Sequence, residues 1–190
     1  VYNDTTKLRY GKVLFMTDQD LDGSHIKGLC LNLFSYLWPS LLQIPQFIGY
    51  MNTPILKATK LNKCINFYHN GEYEEWKKLN NDGKGFKIKY YKGLGTSTSK
   101  EFKEYFKEKK IVYFSDEEGE EKQNSHVEIL DKIFNKQRSN ERKEWLKLYD
   151  RNKFVDTNHK SVSFKTFVDN EMIHFSKYDC DRSIPNMVDG

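Results

Sequence analysis

Apolar positions fall into short blocks separated by polar turns. Residues 13–16, Val-Leu-Phe-Met, form a run too short for a helix and without a polar face. It predicts a strand buried on both sides, as in a parallel sheet. Ile26, Leu29, Cys30, Leu33, Phe34 and Leu37 recur at helical spacing. They predict a helix whose apolar stripe lies on that sheet, and Pro39 breaks or restarts it. Residues 47–55 and 64–68 read as strands and 72–79 as a short helix. Between 86 and 91, Phe86, Ile88 and Tyr90 alternate with Lys87, Lys89 and Tyr91, the period of a strand with one wet face. Lys92-Gly93-Leu94-Gly95 then turns the chain. Thr98 with Glu101 three residues on has the spacing of a capping box. The helix it opens has Phe102, Tyr105 and Phe106 as its buried stripe, and 111–114 is one more strand.

The pattern changes after the acidic stretch 116–121, which reads as a solvated loop. Val127, Leu130, Ile133 and Phe134 mark one helix, and Trp145, Leu146, Leu148 and Tyr149 a second. Phe164, Phe167, Val168, Glu171, Met172 and Phe175 mark a third. The expectation is an α/β first part and a mostly α second part, with a soft boundary near the acidic loop. There is no repeat of solenoid length.

Composition narrows the class. The chain has 190 residues, 31% of them charged and 15% aromatic, with a mean hydropathy of −0.80. That suits a polar-surfaced domain with enough aromatic bulk for a core. A net charge of +4 is compatible with nucleic acid without pointing to it. Cys30, Cys64 and Cys180 are widely spaced, which argues against a disulfide framework or a structural zinc site and fits a reducing, intracellular compartment. No run of 18 apolar residues is present to span a membrane. Val1 in place of Met, and an end at Val188-Asp189-Gly190 with no polar tail, suggest a piece of a longer protein.

Candidate chemistry concentrates just after the first strand, at Thr17-Asp18-Gln19-Asp20-Leu21-Asp22-Gly23-Ser24-His25. Ligands of open α/β sheets bind outside the carboxyl ends of the strands. Three carboxylates on alternate residues repel one another unless a cation or proton intervenes. An all-oxygen set suits a hard cation, Mg²⁺ first. An EF-hand is disfavoured, because its twelfth position would be Leu29 rather than Glu. Two other readings stay open: a phosphatase with an Asp nucleophile, and a structural turn in which the Asp side chains cap the helix.

The run from Thr17 to Gly28 resembles the acidic motif of the TOPRIM module in eukaryotic-type topoisomerase II. Lys89-Tyr90-Tyr91-Lys92-Gly93-Leu94-Gly95-Thr96-Ser97-Thr98 resembles that family's YKGLGT segment. Arg142-Lys143-Glu144-Trp145-Leu146 is also familiar from the family, and the stretch from Arg182 to Gly190 resembles its lead into the winged-helix cleavage domain. The resemblance implies an α/β fold: a partial TOPRIM, a Rossmann-like parallel sheet with helices and its first strand missing, followed by a mostly α C-terminal extension. The implied division is 1–60 for the later part of TOPRIM, 61–176 for its extension and 177–190 for the start of the winged-helix domain.

The resemblance also implies the chemistry. Type II topoisomerases break and rejoin duplex DNA by transesterification from a tyrosine, with Mg²⁺ at the TOPRIM carboxylates and ATP used elsewhere in the enzyme. Asp18 and Asp20 would be the catalytic, metal-holding pair, with Asp22 close to the metal. His25, Lys27, Lys92 and Arg182 would face the DNA backbone. Plainer readings stand beside these: a helix-start hydrogen bond for His25, a tight turn for Lys92, and an ion pair with Asp179 or Asp181 for Arg182. His69, His126, His159 and His174 read as structural or surface residues. The metal-binding glutamate of the first TOPRIM strand, the catalytic tyrosine and the ATPase domain have no counterpart in the chain, so it is expected to be inactive alone. The parent would be a nuclear, homodimeric enzyme acting on double-stranded DNA. The rivals are an Mg²⁺-dependent phosphatase and a non-catalytic DNA-binding module.

Overall fold

A four-stranded mixed sheet carries the main core, and both ends of the chain build it. The computed structural model describes residues 1–116, 125–156 and 159–189, with side chains as far as 184. Residues 117–121 of the acidic loop, the side chains of the 185–189 stretch and Gly190 lie outside the described residues. In chain order the elements are β1 (Val13–Phe15), α1 (Leu21–Leu37), α2 (Pro39–Leu42), β2 (Ile48–Met51), β3 (Leu56–Lys60), β4 (Lys63–Phe67), α3 (Asn70–Leu79), β5 (Lys87–Tyr90), α4 (Ser99–Glu108), β6 (Ile111–Ser115), α5 (His126–Phe134), α6 (Ser139–Leu146), β7 (Ser161–Ser163), α7 (Phe164–Phe167) and α8 (Ile173–Asp189). A π-helical turn, Val168–Met172, joins α7 to α8.

The main sheet has the order β1-β2-β6-β7. β1 and β2 are parallel, β2 and β6 antiparallel, and β6 and β7 parallel. Between β2 and β6 the chain makes a second, antiparallel sheet, β4-β3-β5, flanked by α3 and α4. The second part of the chain is therefore not a separate helical body. β7 joins the first sheet, and one core unites Phe15, Leu31 and Tyr50 with Leu130, Phe164 and Phe167. A smaller core of Leu56, Ala58 and Phe67, with Tyr73, Trp76 and Phe86 against it, serves the inserted sheet. No helix among the described residues is long and apolar enough to cross a membrane.

Four expectations need correction. β1 is an edge strand buried on one face only: Phe15 is buried, but Leu14, on the opposite face, is 38% exposed. The apolar stripe of α1 divides: Cys30 and Phe34 are half-buried and pack against the core, but the rest faces outward. Ile26, Leu29, Leu33 and Leu37 are exposed, whereas Ser24, Lys27, Gly28, Leu31 and Ser35 are buried. Small residues decide the orientation. A Cβ on Gly28 would lie 2.4 Å from Met172 Sδ, so only that face admits the π-helical turn so closely. The stretch 47–55 is two elements. β2 stops at Met51, and the chain crosses Asn52-Thr53-Pro54 into β3, with proline outside the ladder as its missing donor requires. In β5 the expected alternation holds at its start, where Phe86 packs on the smaller core and Lys87 is exposed, and fails beyond it. Ile88 and Tyr90 are exposed, while Lys89 leans on α4 through a 2.8 Å ion pair with Glu101. The capping box of α4 forms with both its hydrogen bonds. α8 runs without a break through residue 177.

Candidate metal centre and nucleic-acid interface

The acidic tip begins where β1 ends. Asp20 takes extended backbone (φ −127°), and its Oδ1 accepts the Gly23 N–H at 2.7 Å, capping α1. The capping reading thus holds for this carboxylate, and it uses one of its two oxygens. Gly23 is required by close approach, since a Cβ there would stand 1.9 Å from the carbonyl oxygen of Asp18. Asp18 is held from across the molecule: its Oδ1 accepts the Leu94 N–H at 2.5 Å. Gly93 makes this possible. Its φ is +80°, where side chains are strained, and a Cβ would lie 2.7 Å from Asp18 Oδ2. The acidic motif and the Lys-Gly-Leu-Gly turn, 76 residues apart, therefore form one rim.

That rim opens on a cavity of about 570 Å³ lined by Asp18, Asp20, Lys92, Gly93 and Glu171. Its far wall is aromatic, with Tyr68, His69, Tyr91, Phe154 and His174. His69 also caps α3, Nδ1 accepting the Glu72 N–H at 3.3 Å, and the His174 ring lies parallel to Phe154 at 4.7 Å between centroids. Asp18 is half-buried and Asp20 exposed. Neither has an ion-pair partner among the described residues, and Asp18 Oδ2 and Asp20 Oδ2 accept no hydrogen bond there. Asp22 is exposed on the first turn of α1 and does not line the cavity.

The donor set is carboxylate oxygen throughout. Among the described residues no three His, Cys, Asp or Glu side chains converge enough to hold an ion. Two carboxylates with one free oxygen each nonetheless fit Mg²⁺, which takes one or two carboxylates and fills its shell with water and phosphate oxygens. Asp18 and Asp20 line the cavity together, and Asp22, expected close to them, lies to one side of it.

Of the expected DNA-facing residues, Lys27 is corrected. It is 1% exposed, its Nζ 3.8 Å from Glu171 Oε2 and 4.3 Å from the centre of the Tyr50 ring. A phosphate cannot reach it, because Lys27 lies on the packed face of α1. Burial pushes its pKa down, against the charges of Glu171 and Asp20. Burial, with the Glu171 charge second, pushes the Tyr50 hydroxyl up. That hydroxyl has no hydrogen-bond partner among the described residues. His25 is half-buried and stacks on Phe175 of α8, ring centres 4.0 Å apart. Lys92 is exposed at the cavity rim and has no ion pair among the described residues. Arg182 is exposed and donates to Asp179 Oδ1 at 2.8 Å, the plainer of its two readings.

Sequence reasoning missed Glu171 and Ser24. Ser24 Oγ donates to Glu171 Oε2 at 2.8 Å, tying α1 to the π-helical turn. The available signal was a carboxylate within an otherwise apolar helical stripe, Phe167, Val168, Met172 and Ile173.

Residues 51–180 match the family described as the C-terminal associated domain of TOPRIM. The DNA topoisomerase 2 of Plasmodium falciparum (isolate K1 / Thailand) is 45% identical over 193 residues, which are 99% of this chain and 13% of that protein. The DNA topoisomerase 2 of Arabidopsis thaliana is 45% identical over 197 residues, 100% of this chain and 13% of its own length. A crystal structure of the Plasmodium falciparum topoisomerase II DNA-binding, cleavage and re-ligation domain superposes with a TM-score of 0.85 at 41% identity, covering 95% of this chain and 24% of that one. The chain thus spans 13% of the length of these full-length relatives, and it belongs to the family of C-terminal domains associated with TOPRIM.

Proposed function

We propose that the chain supplies part of the DNA breakage-and-rejoining core of a type II topoisomerase, with Asp18 and Asp20 as its Mg²⁺-holding carboxylates. The observation that carries the reading is the hydrogen bond from Leu94 N–H to Asp18 Oδ1. It draws both topoisomerase-like motifs to one cavity rim and leaves an oxygen of each aspartate free. A bound Mg²⁺ supplies charge neutralisation at a phosphate undergoing in-line displacement.

The chain's own residues prepare that site. Leu94 fixes the rotation of Asp18, and Gly93 permits the contact. The cap to Gly23 fixes Asp20. Lys92 offers an exposed charge to the DNA backbone beside them, a contact that fixes register and weakens with salt. His25 and Arg182 take supporting places on α1 and α8. The attacking tyrosine, the remaining metal ligand and the ATP site belong to other parts of the parent enzyme, so this chain does not cleave DNA by itself. The parent's homodimeric state and nuclear location are carried over with the family.

The test is plasmid linearisation by the full-length protein in Mg²⁺. Asp18→Asn and Asp20→Asn are each expected to lower double-strand cleavage roughly a hundredfold. Unchanged cleavage in both variants would remove the site. Turnover of a phosphomonoester by the isolated chain, abolished by Asp18→Asn, would favour the phosphatase instead.

A further inference from the structure

We propose that Glu171 is a positioning residue for the acidic tip. Acting through Ser24 and Lys27, it holds the first turn of α1 so that Asp20 can share a cation with Asp18. The inference rests on the metal-site reading above and adds to it a device on a distant element.

The contacts form a continuous seam between α1 and the start of α8. Glu171 Oε2 accepts the Ser24 hydroxyl at 2.8 Å and faces Lys27 Nζ at 3.8 Å. The Ser24 N–H donates to the Asp20 carbonyl at 3.1 Å, so the residue gripped by Glu171 is bonded directly to the backbone of the capping aspartate. One turn further, Gly28 abuts Met172, and on the neighbouring face His25 stacks on Phe175. A shift of the π-helical turn would move the beginning of α1 with it.

Glu171 reaches this place because of the π-helical turn. Its end residues Val168 and Met172 and the flanking Phe167 and Ile173 are all buried. An extra residue per turn rotates the chain between these pairs and turns a carboxylate toward the cavity; such turns recur at functional sites. Glu171 lines the cavity together with Asp18 and Asp20, its side chain 19% exposed. A role confined to packing does not require this arrangement. A buried lysine–glutamate pair can often be replaced by apolar residues of similar size without loss of stability. A direct ligand role is disfavoured by the absence, among the described residues, of three converging acidic side chains. Glu171 therefore acts through its neighbours.

The experiment uses the full-length protein and reads three quantities: the Mg²⁺ concentration for half-maximal plasmid cleavage, the cleavage at saturating Mg²⁺, and DNA binding in EDTA. The variants are Ser24→Ala, Glu171→Gln and the charge-neutral double variant Lys27→Met/Glu171→Gln. Glu171→Gln and the double variant are expected to raise the half-maximal Mg²⁺ about tenfold, and Ser24→Ala about threefold. Cleavage at saturating Mg²⁺ and metal-free DNA binding stay within about twofold of wild type. A double variant with wild-type melting and wild-type Mg²⁺ requirement overturns the proposal. So does a loss of saturating cleavage with no change in Mg²⁺ requirement. Should the charge variants fail to fold, Ser24→Ala decides, and an unchanged Mg²⁺ requirement overturns the proposal. Intact cleavage after Asp18→Asn is a different failure, that of the metal-site reading itself.

Discussion

Glu101 and Glu171 are both carboxylates drawn largely out of water, and the protein treats them in opposite ways. Glu101 is enclosed by donors: Lys89 Nζ at 2.9 and 2.8 Å, the Tyr91 hydroxyl at 2.5 Å, and the backbone and hydroxyl of Thr98 at 2.7 and 2.9 Å. Glu171 has one hydroxyl and a lysine at 3.8 Å. Glu101 closes a helix start within the inserted sheet. Glu171 bridges two helices at the mouth of a cavity. A carboxylate satisfied on every side is a fastening. One left with spare capacity beside two other acids is available to position them.

The strongest way to break the comparison is to strand a charge. Glu171→Gln leaves Lys27, 1% exposed, without its partner. Removing one member of a buried pair typically costs about 3–5 kcal/mol. The expected loss here is roughly 3 kcal/mol, because the charge of Asp20, though not paired with Lys27, still favours the ammonium. Lys27→Met is expected to cost less, since Glu171 can hydrate through the cavity. Urea denaturation of both single variants and the double variant measures the asymmetry. Equal, small losses would mean that the lysine charge is not confined as its burial indicates, and the contrast with Glu101 would lose its basis.

A middle-sized effect sharpens the other side. Burial alone would raise the Glu101 pKa, but Lys89, the Thr98 backbone and Tyr91 bond to its charged form and hold it down, from 4.5 to about 2. A depressed acid contributes stability that is fully present above its unfolded pKa and is lost as pH falls toward the folded one. The window is therefore between about pH 4.5 and 2. Allowing for solvent screening, the contribution is on the order of 2 kcal/mol. Wild type should lose this as the pH falls from about 4.5 to about 2 in urea titrations, over and above the background from its other carboxylates. Glu101→Gln should start lower and decline less. A parallel decline in both would show that Glu101 does not carry the linkage.

The same contrast explains which features the sequence made legible. Thr98 and Glu101 interact over three residues, and a local spacing rule is enough to foresee that pair. Ser24 and Glu171 are 147 residues apart, and their contact needs a π-helical turn that no periodicity announces. The two motifs at Asp18 and Leu94 were readable separately, but their hydrogen bond depends on how the inserted sheet returns to the first. The α1 stripe misled for a physical reason. Apolar spacing counts side chains that can be buried, whereas Ser24, Gly28 and Ser35 were buried because small residues let helices approach. The end of β5 misled similarly, since Lys89 found a carboxylate on α4 to lie against. Lys27 looked like a phosphate contact because charge at a helix start usually meets solvent, and here Tyr50 and Glu171 receive it.

The smallest effect isolates what the capping box adds to the rest of the Glu101 cluster. Thr98→Ala removes the hydroxyl that accepts the Glu101 N–H at 3.3 Å and donates to Glu101 Oε2 at 2.9 Å. The Thr98 backbone N–H keeps its 2.7 Å bond to Glu101 Oε2, and Lys89 and Tyr91 keep theirs. Loss of a hydroxyl cap costs about 1 kcal/mol, and the surviving donors keep the carboxylate charged. The variant should therefore be destabilised by about 1 kcal/mol at neutral pH while retaining most of the wild-type pH dependence. Thr98→Ser should restore the loss. If Thr98→Ala instead erased the pH dependence, the hydroxyl would be what holds the whole cluster together. Glu101 would then depend on a single donor as Glu171 does, and the difference between the two carboxylates would be one of place in the fold and not of satisfaction.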